Sequence, residues 1–277
     1  MRKLLCAGVA FYAAIMAQPA YAGFWVNPIM SASGAADIDD SHGNDVKTTT
    51  YGIMGGNEFF TLGYKNTHYS FSGWEPIDKL QMLFADIHYA SNFNEHLGYF
   101  VGLELASGWE EDFSLSDNYS IRPRVGISYA IDRNFSLLLG VKANFNEADN
   151  RFIPIVGLKY RDPSEIGFST LLGYPETTLQ YRFNNYLALM GRFYAVNQDV
   201  YQLRSDSPMA PDGYLVEESM NGRLGLVFNP MQTFSISAGL DASFNREYKV
   251  YNEYGDELKS WETDTAWGGY VNFDVNF

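Results

Sequence analysis

From Tyr119 to Ile131 the chain sets apolar and polar side chains on alternate positions. Tyr119, Ile121, Pro123, Val125, Ile127, Tyr129 and Ile131 interleave with Ser120, Arg122, Arg124, Gly126, Ser128 and Ala130. A period of two puts these sets on opposite faces of a β-strand, one fit for lipid and one for water. The pattern recurs at once in Phe135, Leu137, Leu139, Val141, Ala143 and Phe145, against Ser136, Gly140, Lys142 and Asn144. Only Asp132-Arg133-Asn134 separates the two runs, which is a tight turn. Leu97 to Leu105 and Phe234 to Phe244 alternate in the same way. Soluble sandwiches also alternate. The runs here, however, reach the ten or so residues of a tilted membrane strand and often end on aromatics, so that Tyr119 and Tyr129, or Phe135 and Phe145, would sit at the two headgroup levels.

The connections alternate too. Ser91 to Glu95, Asp132 to Asn134, Arg161 to Glu165, Asn184-Asn185 and Asn229 to Met231 are short. Ser72 to Asp78, Gly108 to Asp117, Gln198 to Gly213 and Asn252 to Lys259 are longer. Short turns on one side and long loops on the other are the arrangement of an up-and-down transmembrane barrel. Thirteen strand-like runs lie between Val46 and Phe277, whereas a single-chain bacterial barrel has an even number. Dropping the Thr-rich run Lys47 to Met54 leaves twelve, the preferred count; recruiting Phe24 to Ser33 makes fourteen. The expected organisation is a signal peptide over 1–22, an acidic arm or plug over 23–45, and an all-β antiparallel barrel over 46–277.

Arg2 and Lys3, an apolar stretch from Leu4 to Met16 and Ala20-Tyr21-Ala22 have the layout of an export signal cleaved before Gly23. The stretch is too short for a spanning helix, and Gln18-Pro19 interrupts it. Its removal would take the formal net charge from −14 to −16, which disfavours nucleic acid as a partner. Cys6, the only cysteine, falls within the signal, so disulfides and thiol chemistry are not expected.

The last seven residues are Val271, Asn272, Phe273, Asp274, Val275, Asn276 and Phe277. Apolar side chains at Val271, Phe273, Val275 and Phe277 resemble the C-terminal assembly signal of outer-membrane barrels. That resemblance implies the outer membrane as location, with its lipids, lipopolysaccharide, periplasmic chaperones and barrel-assembly machinery as partners. Closure of the ring by the last strand on the first would leave no open edge in lipid. Gly173-Tyr174-Pro175-Glu176-Thr177, Leu179 to Phe183, Gly213-Tyr214-Leu215, Asn245-Arg246-Glu247 and Tyr254-Gly255-Asp256 also resemble a family of outer-membrane barrels catalogued as a domain of unknown function. It extends over residues 173–277 and implies fold and location, without an activity.

Alternation assigns Arg122, Arg124, Lys142, Lys159, Arg161, Arg182, Arg192 and Arg223 to the inner face, and Asp86, Glu104, Asp241, Asp264 and Asp274 with them. The acids lie on strands near the two ends of the chain and the bases mid-chain, so the lumen is expected to set a basic wall against an acidic one. Inward glycines at 98, 102, 126, 140, 157, 167, 191, 225 and 239 suggest open space. His68 and Ser70 share a face, a faint echo of a lipid deacylase, but Phe71 stands where those enzymes carry Asn. Four scattered histidines make no metal cluster, and Asp37, Asp39 and Asp40 lack the spacing of a calcium loop. Gly55-Gly56 lacks the Lys-Ser/Thr of a phosphate cradle. No catalytic residue, metal or cofactor is expected. The leading expectation is a narrow pore for small solutes. A plugged structural or surface-binding barrel is the alternative, favoured if the arm or Gln198 to Gly213 folds inward, and a lipid-modifying hydrolase is a distant third.

Overall fold

The computed structural model describes residues 23–39, 44–73, 76–113 and 118–277. The expected signal peptide lies outside them. The described residues form strands and no helix: β1 (Trp25–Ser33), the two-residue β2 (Ala36–Asp37), β3 (Asp45–Gly56) and β4 (Phe60–Phe71). β5 (Lys79–Asn92), β6 (Leu97–Trp109), β7 (Ser120–Ala130), β8 (Phe135–Asn144) and β9 (Arg151–Tyr160) follow. β10 (Gly167–Tyr174), β11 (Glu176–Arg182), β12 (Leu187–Gln202), β13 (Tyr214–Met231), β14 (Phe234–Tyr251), β15 (Glu257–Thr263) and β16 (Ala266–Asn276) complete the order.

Fourteen of these strands close one antiparallel ring. β1 pairs with β16 on one side and with β3 on the other, while β15 leaves the ring to pair with β14 and β2 adds to β3. The Phe277 N–H also donates to the Phe24 carbonyl at 2.8 Å. Fourteen replaces the preferred count of twelve, for two physical reasons. Lys47 to Met54 reads poorly as a membrane strand because its inner face is hydroxylic: the Thr48 and Ser33 hydroxyls lie 2.9 Å apart, as do those of Thr50 and Thr67. Trp25 to Ser33 hides in the sequence because its buried inner face carries Trp25 and Asn27 while its outer face carries Pro28 and Ala32, so apolar and polar no longer mark the two sides. The segment expected as an N-terminal arm is therefore, over Trp25–Ser33, a wall strand.

The outer face is the lipid-like one that the alternation requires. Ile121, Val125 and Ile127 on β7 and Leu137, Leu139 and Val141 on β8 all stand exposed. Aromatic pairs ring the short-turn rim, among them Phe93 with Tyr99 at 4.6 Å, Phe135 with Tyr160 at 4.7 Å and Tyr181 with Phe183 at 5.0 Å. Phe145 with Phe152, and Phe244 with Trp267, sit toward the other rim. Two aromatic levels bracketing an apolar band are what the water–lipid boundaries select.

The inner face is less uniformly polar than expected. Phe100, Leu138, Ile155 and Leu171 form a buried apolar cluster inside the ring, so β9 is apolar on both faces. The inward glycines are seats and not empty space. A Cβ on Gly126 would come within 2.2 Å of the Phe100 ring, one on Gly63 within 2.2 Å of the Phe84 ring, and one on Gly102 within 2.7 Å of the Arg124 guanidinium. Large side chains thus lie along the wall in recesses that only glycine leaves. Gly191 is a correction: it pairs with Leu179 and Leu224, both exposed, and so faces outward.

Three neighbouring strands overrun the membrane. β12 has 16 residues and β13 and β14 have 18 each, against the 9–11 or so of a crossing. Both ladders that join them break at one height. The β12–β13 register shifts between Tyr194 and Asn197, the β13–β14 register shifts between Glu218 and Met220, and Asn245 takes a positive φ of 46°. Bulges bend a strand and increase its twist. Aligned across three strands, they fold the outer part of this sheet, with β15, as a single leaf.

Candidate functional site in the barrel mouth

The leaf crosses the mouth on the long-loop side. Gln202 at the tip of β12 pairs in parallel with Trp109 of β6, which stands six strands away in the ring of fourteen and so nearly opposite. The Glu110 N–H donates to the Gln202 carbonyl at 3.0 Å, and the Arg204 N–H donates to Glu110 Oε2 at 3.1 Å. Burial pushes the Glu110 carboxyl above its ordinary range, against the pull of Arg204.

Each face of the leaf is held differently. Tyr201, Leu203, Leu215, Tyr248 and Val250 pack on Val46, Tyr69, Phe71, Leu80, Met82 and Ala106 of the β3–β6 wall in one buried cluster. Below it Lys65 Nζ donates to Asp199 Oδ2 at 2.5 Å, Arg122 Nη2 reaches Asp199 Oδ1 at 3.4 Å, and the Tyr69 hydroxyl donates to Glu217 Oε2 at 2.8 Å. Arg246 of the leaf pairs with the same Glu217 at 2.9 Å. On the other face Asn144 Nδ2 donates to Gln198 Oε1 at 2.6 Å, and Arg151 meets Glu218 at 2.5 Å. Gln198 Nε2 also donates to Asp149 Oδ2 at 3.1 Å. An acidic strip of the leaf thus lands on cations of the wall, inside a packed apolar surround.

The expected charged residues divide into three groups. Arg122, Arg124, Lys142, Lys159, Arg182, Arg192, Arg223, Asp86, Glu104, Asp241 and Asp274 lie on the inner-face parity of their strands. Arg161 does not: it occupies the turn after β9 with φ 58° and pairs with Glu165 at 2.8 Å. Asp264 does not either, being exposed in the connection after β15. Opposed walls are also replaced, because acids and bases meet on neighbouring strands or, for Asp86 and Arg124, across one intervening strand. Glu104 pairs with Arg122 at 2.7 Å, Asp86 with Arg124 at 2.7 Å, Glu176 with Arg192 at 3.4 Å and Asp241 with Arg223 at 3.9 Å. His88 Nδ1 lies 2.9 Å from the same Asp86 carboxylate. Arg182 donates to the Pro163 carbonyl at 3.0 Å, and Asp274 is held by Asn27 and Ser235. The strands are close and the far wall is distant, so Coulomb attraction is satisfied locally.

Lys65, Tyr69, Asp199 and Glu217 were not singled out from the sequence. A signal existed: around Asp199, polar and apolar residues occupy both faces of β12, which no lipid-facing strand tolerates. His68 and Ser70 are exposed on the outer face of β4, away from the lumen. Among the described residues no group of three or more His, Cys, Asp or Glu could hold a metal, and Asp40 lies outside them.

No protein-family model matches the chain, so the resemblance over residues 173–277 gains no support there. No curated protein matches it. Solved structures align with the chain at low similarity. The NanC porin aligns at 8% identity and TM-score 0.44 over 90% of this chain and 98% of its own. An outer membrane channel from Pseudomonas putida F1 aligns at 9% and 0.47 over 95% and 98%, and the KdgM porin at 10% and 0.38 over 91% and 99%. At such identities these likenesses carry no function across.

Proposed function

We propose that this chain forms a narrow channel for small solutes in the outer membrane of a Gram-negative bacterium. The observation that supports it best is the state of Arg223 and Asp241. Both face inward, just below the rim marked by Phe244 and Trp267, and keep 33% and 21% of their side-chain surface open to water, which supports water entering the ring at that level. Fourteen strands also enclose more than the eight or so whose interior side chains alone fill. The reading assigns the protein no reaction. It includes insertion by the barrel-assembly machinery, with Val271, Phe273, Val275 and Phe277 as the recognised register, and contact with lipopolysaccharide outside.

Pairing along the wall predicts weak ion selectivity, because few lumen charges remain uncompensated. The test is swelling of phospholipid vesicles carrying refolded protein in neutral sugars of graded size, with reversal potentials measured in parallel. Uptake that falls with solute size supports the channel. Folded protein that passes neither salt nor sugar refutes it. A second reading, a plugged structural barrel, is favoured by the leaf over the mouth.

A further inference from the structure

We infer that the β12–β15 leaf is a hinged gate, closed in this structure, whose closed state is set by Asp199; the inference rests on the channel reading. Three observations carry it. The first is the line of two breaks, at Tyr194–Asn197 and at Glu218–Met220 opposite Asn245, which runs across the sheet where a hinge must lie. Strands continuous on both sides of that line make the leaf a rigid extension of the wall, able to swing without unfolding.

The second observation is chemical. Asp199 lies directly opposite Glu217 in the β12–β13 register, and like charges in that position repel. In the closed leaf the repulsion is overcome by Lys65, Arg122 and Arg246, with Tyr69 donating to Glu217. Of these only Arg246 moves with the leaf. Swinging outward exchanges the wall cations for water, which an exposed strip of carboxylates tolerates and a buried one does not. Closure thus combines the buried apolar cluster with a few charge-assisted contacts placed where leaf meets wall, and the charged contacts are the part that a single substitution can remove.

The third is the landing site. The leaf tip docks by the single parallel bridge from Gln202 to Trp109 and the two hydrogen bonds at Glu110. A sheet edge that meets its partner at one residue pair is a contact made for release, unlike the continuous ladders of the wall.

The test uses the full chain, whose native cysteine lies only in the expected signal. Trp109→Cys with Gln202→Cys replaces the bridge by a disulfide, at a Cα separation such paired positions satisfy. Single-channel recording of the oxidised protein should show open events at least tenfold rarer than after reduction. Asp199→Asn, which takes the carboxylate from Lys65 in the closed state while Arg122 keeps Glu104, should raise the ratio of open to closed time about 10–100-fold, the equivalent of losing one charge-assisted hydrogen bond. If Asp199→Asn does not fold, the disulfide pair alone decides. Equal opening in the oxidised and reduced forms overturns the gate and leaves the channel standing. No conductance from any folded form, oxidised or reduced, overturns the channel and the gate with it.

Discussion

Leu139→Arg tests which side of the wall faces hydrocarbon. Leu139 is the fifth of the ten residues of β8, is half exposed, and pairs with exposed Ile127 on β7 and exposed Val156 on β9. At about 3.3 Å per residue the strand ends lie roughly 13–17 Å away, and a tilt of about 40° leaves the position some 10–13 Å below either interface. A guanidinium on its flexible stem cannot bridge that depth without dragging water inward. The cost should therefore be the mid-bilayer one, about 2–4 kcal/mol. Lys142→Ala, three residues on and facing the lumen, removes one of several neighbouring cations and should cost about 0–1 kcal/mol. Urea titration of protein folded in phospholipid vesicles, followed by tryptophan fluorescence, reads both. Equal losses for the two variants would show that the faces are assigned wrongly.

Gly63→Ala should cost about 1–3 kcal/mol, because its methyl group would stand 2.2 Å from the Phe84 ring, and the penalty should largely vanish beside Phe84→Ala; additive losses in the double-mutant cycle would exclude the seat. Deleting Phe277 removes the hydrogen bond to Phe24 and the end of the apolar register, so the heat-modifiable fraction in the membrane should drop while synthesis continues; an unchanged fraction counts against an assembly role. Glu110 links pH to leaf docking. Its carboxyl titrates above the ordinary range when buried, so its contribution to docking is present at mild acid and is lost as pH rises through that raised value. Arg204 faces it, with Glu111 and Asp206 nearby. The oxidation rate of the Trp109→Cys, Gln202→Cys pair, corrected for thiolate content, should rise as pH falls, and Glu110→Gln should flatten that dependence; an identical slope in both removes Glu110 from the docking.

Much of the fold is legible in the sequence because lipid imposes a strong contrast on each strand. β7 and β8 can be traced residue by residue, and the short turns fall where the polar triplets place them. The contrast fails at β1 and β3, where small, hydroxylic and aromatic residues occupy both faces, and the strand count fails with it. Which charges line the interior was readable from parity alone, except at Arg161 and Asp264, where the strands had already ended. Their partners were not readable. Parity carries no information about distance around a ring, so pairing along the wall and pairing across it look identical in sequence. The leaf was invisible for a related reason: Gln198 to Gly213 read as an external loop, whereas residues up to Gln202 continue β12 beyond a bulge that no residue type announces.

The glycine seats have a consequence for how the bore of such a barrel is set. Strand number fixes the circumference of the backbone, but here the free cross-section depends on whether Phe84, Phe100 and Arg124 lie flat in the recesses at Gly63, Gly126 and Gly102 or stand up into the lumen. Filling a recess with a methyl group lifts its occupant toward the axis, and trimming the occupant uncovers the recess. The interior can therefore be calibrated one pair at a time, like stops on an aperture, while the fourteen-strand wall and its lipid-facing surface stay as they are.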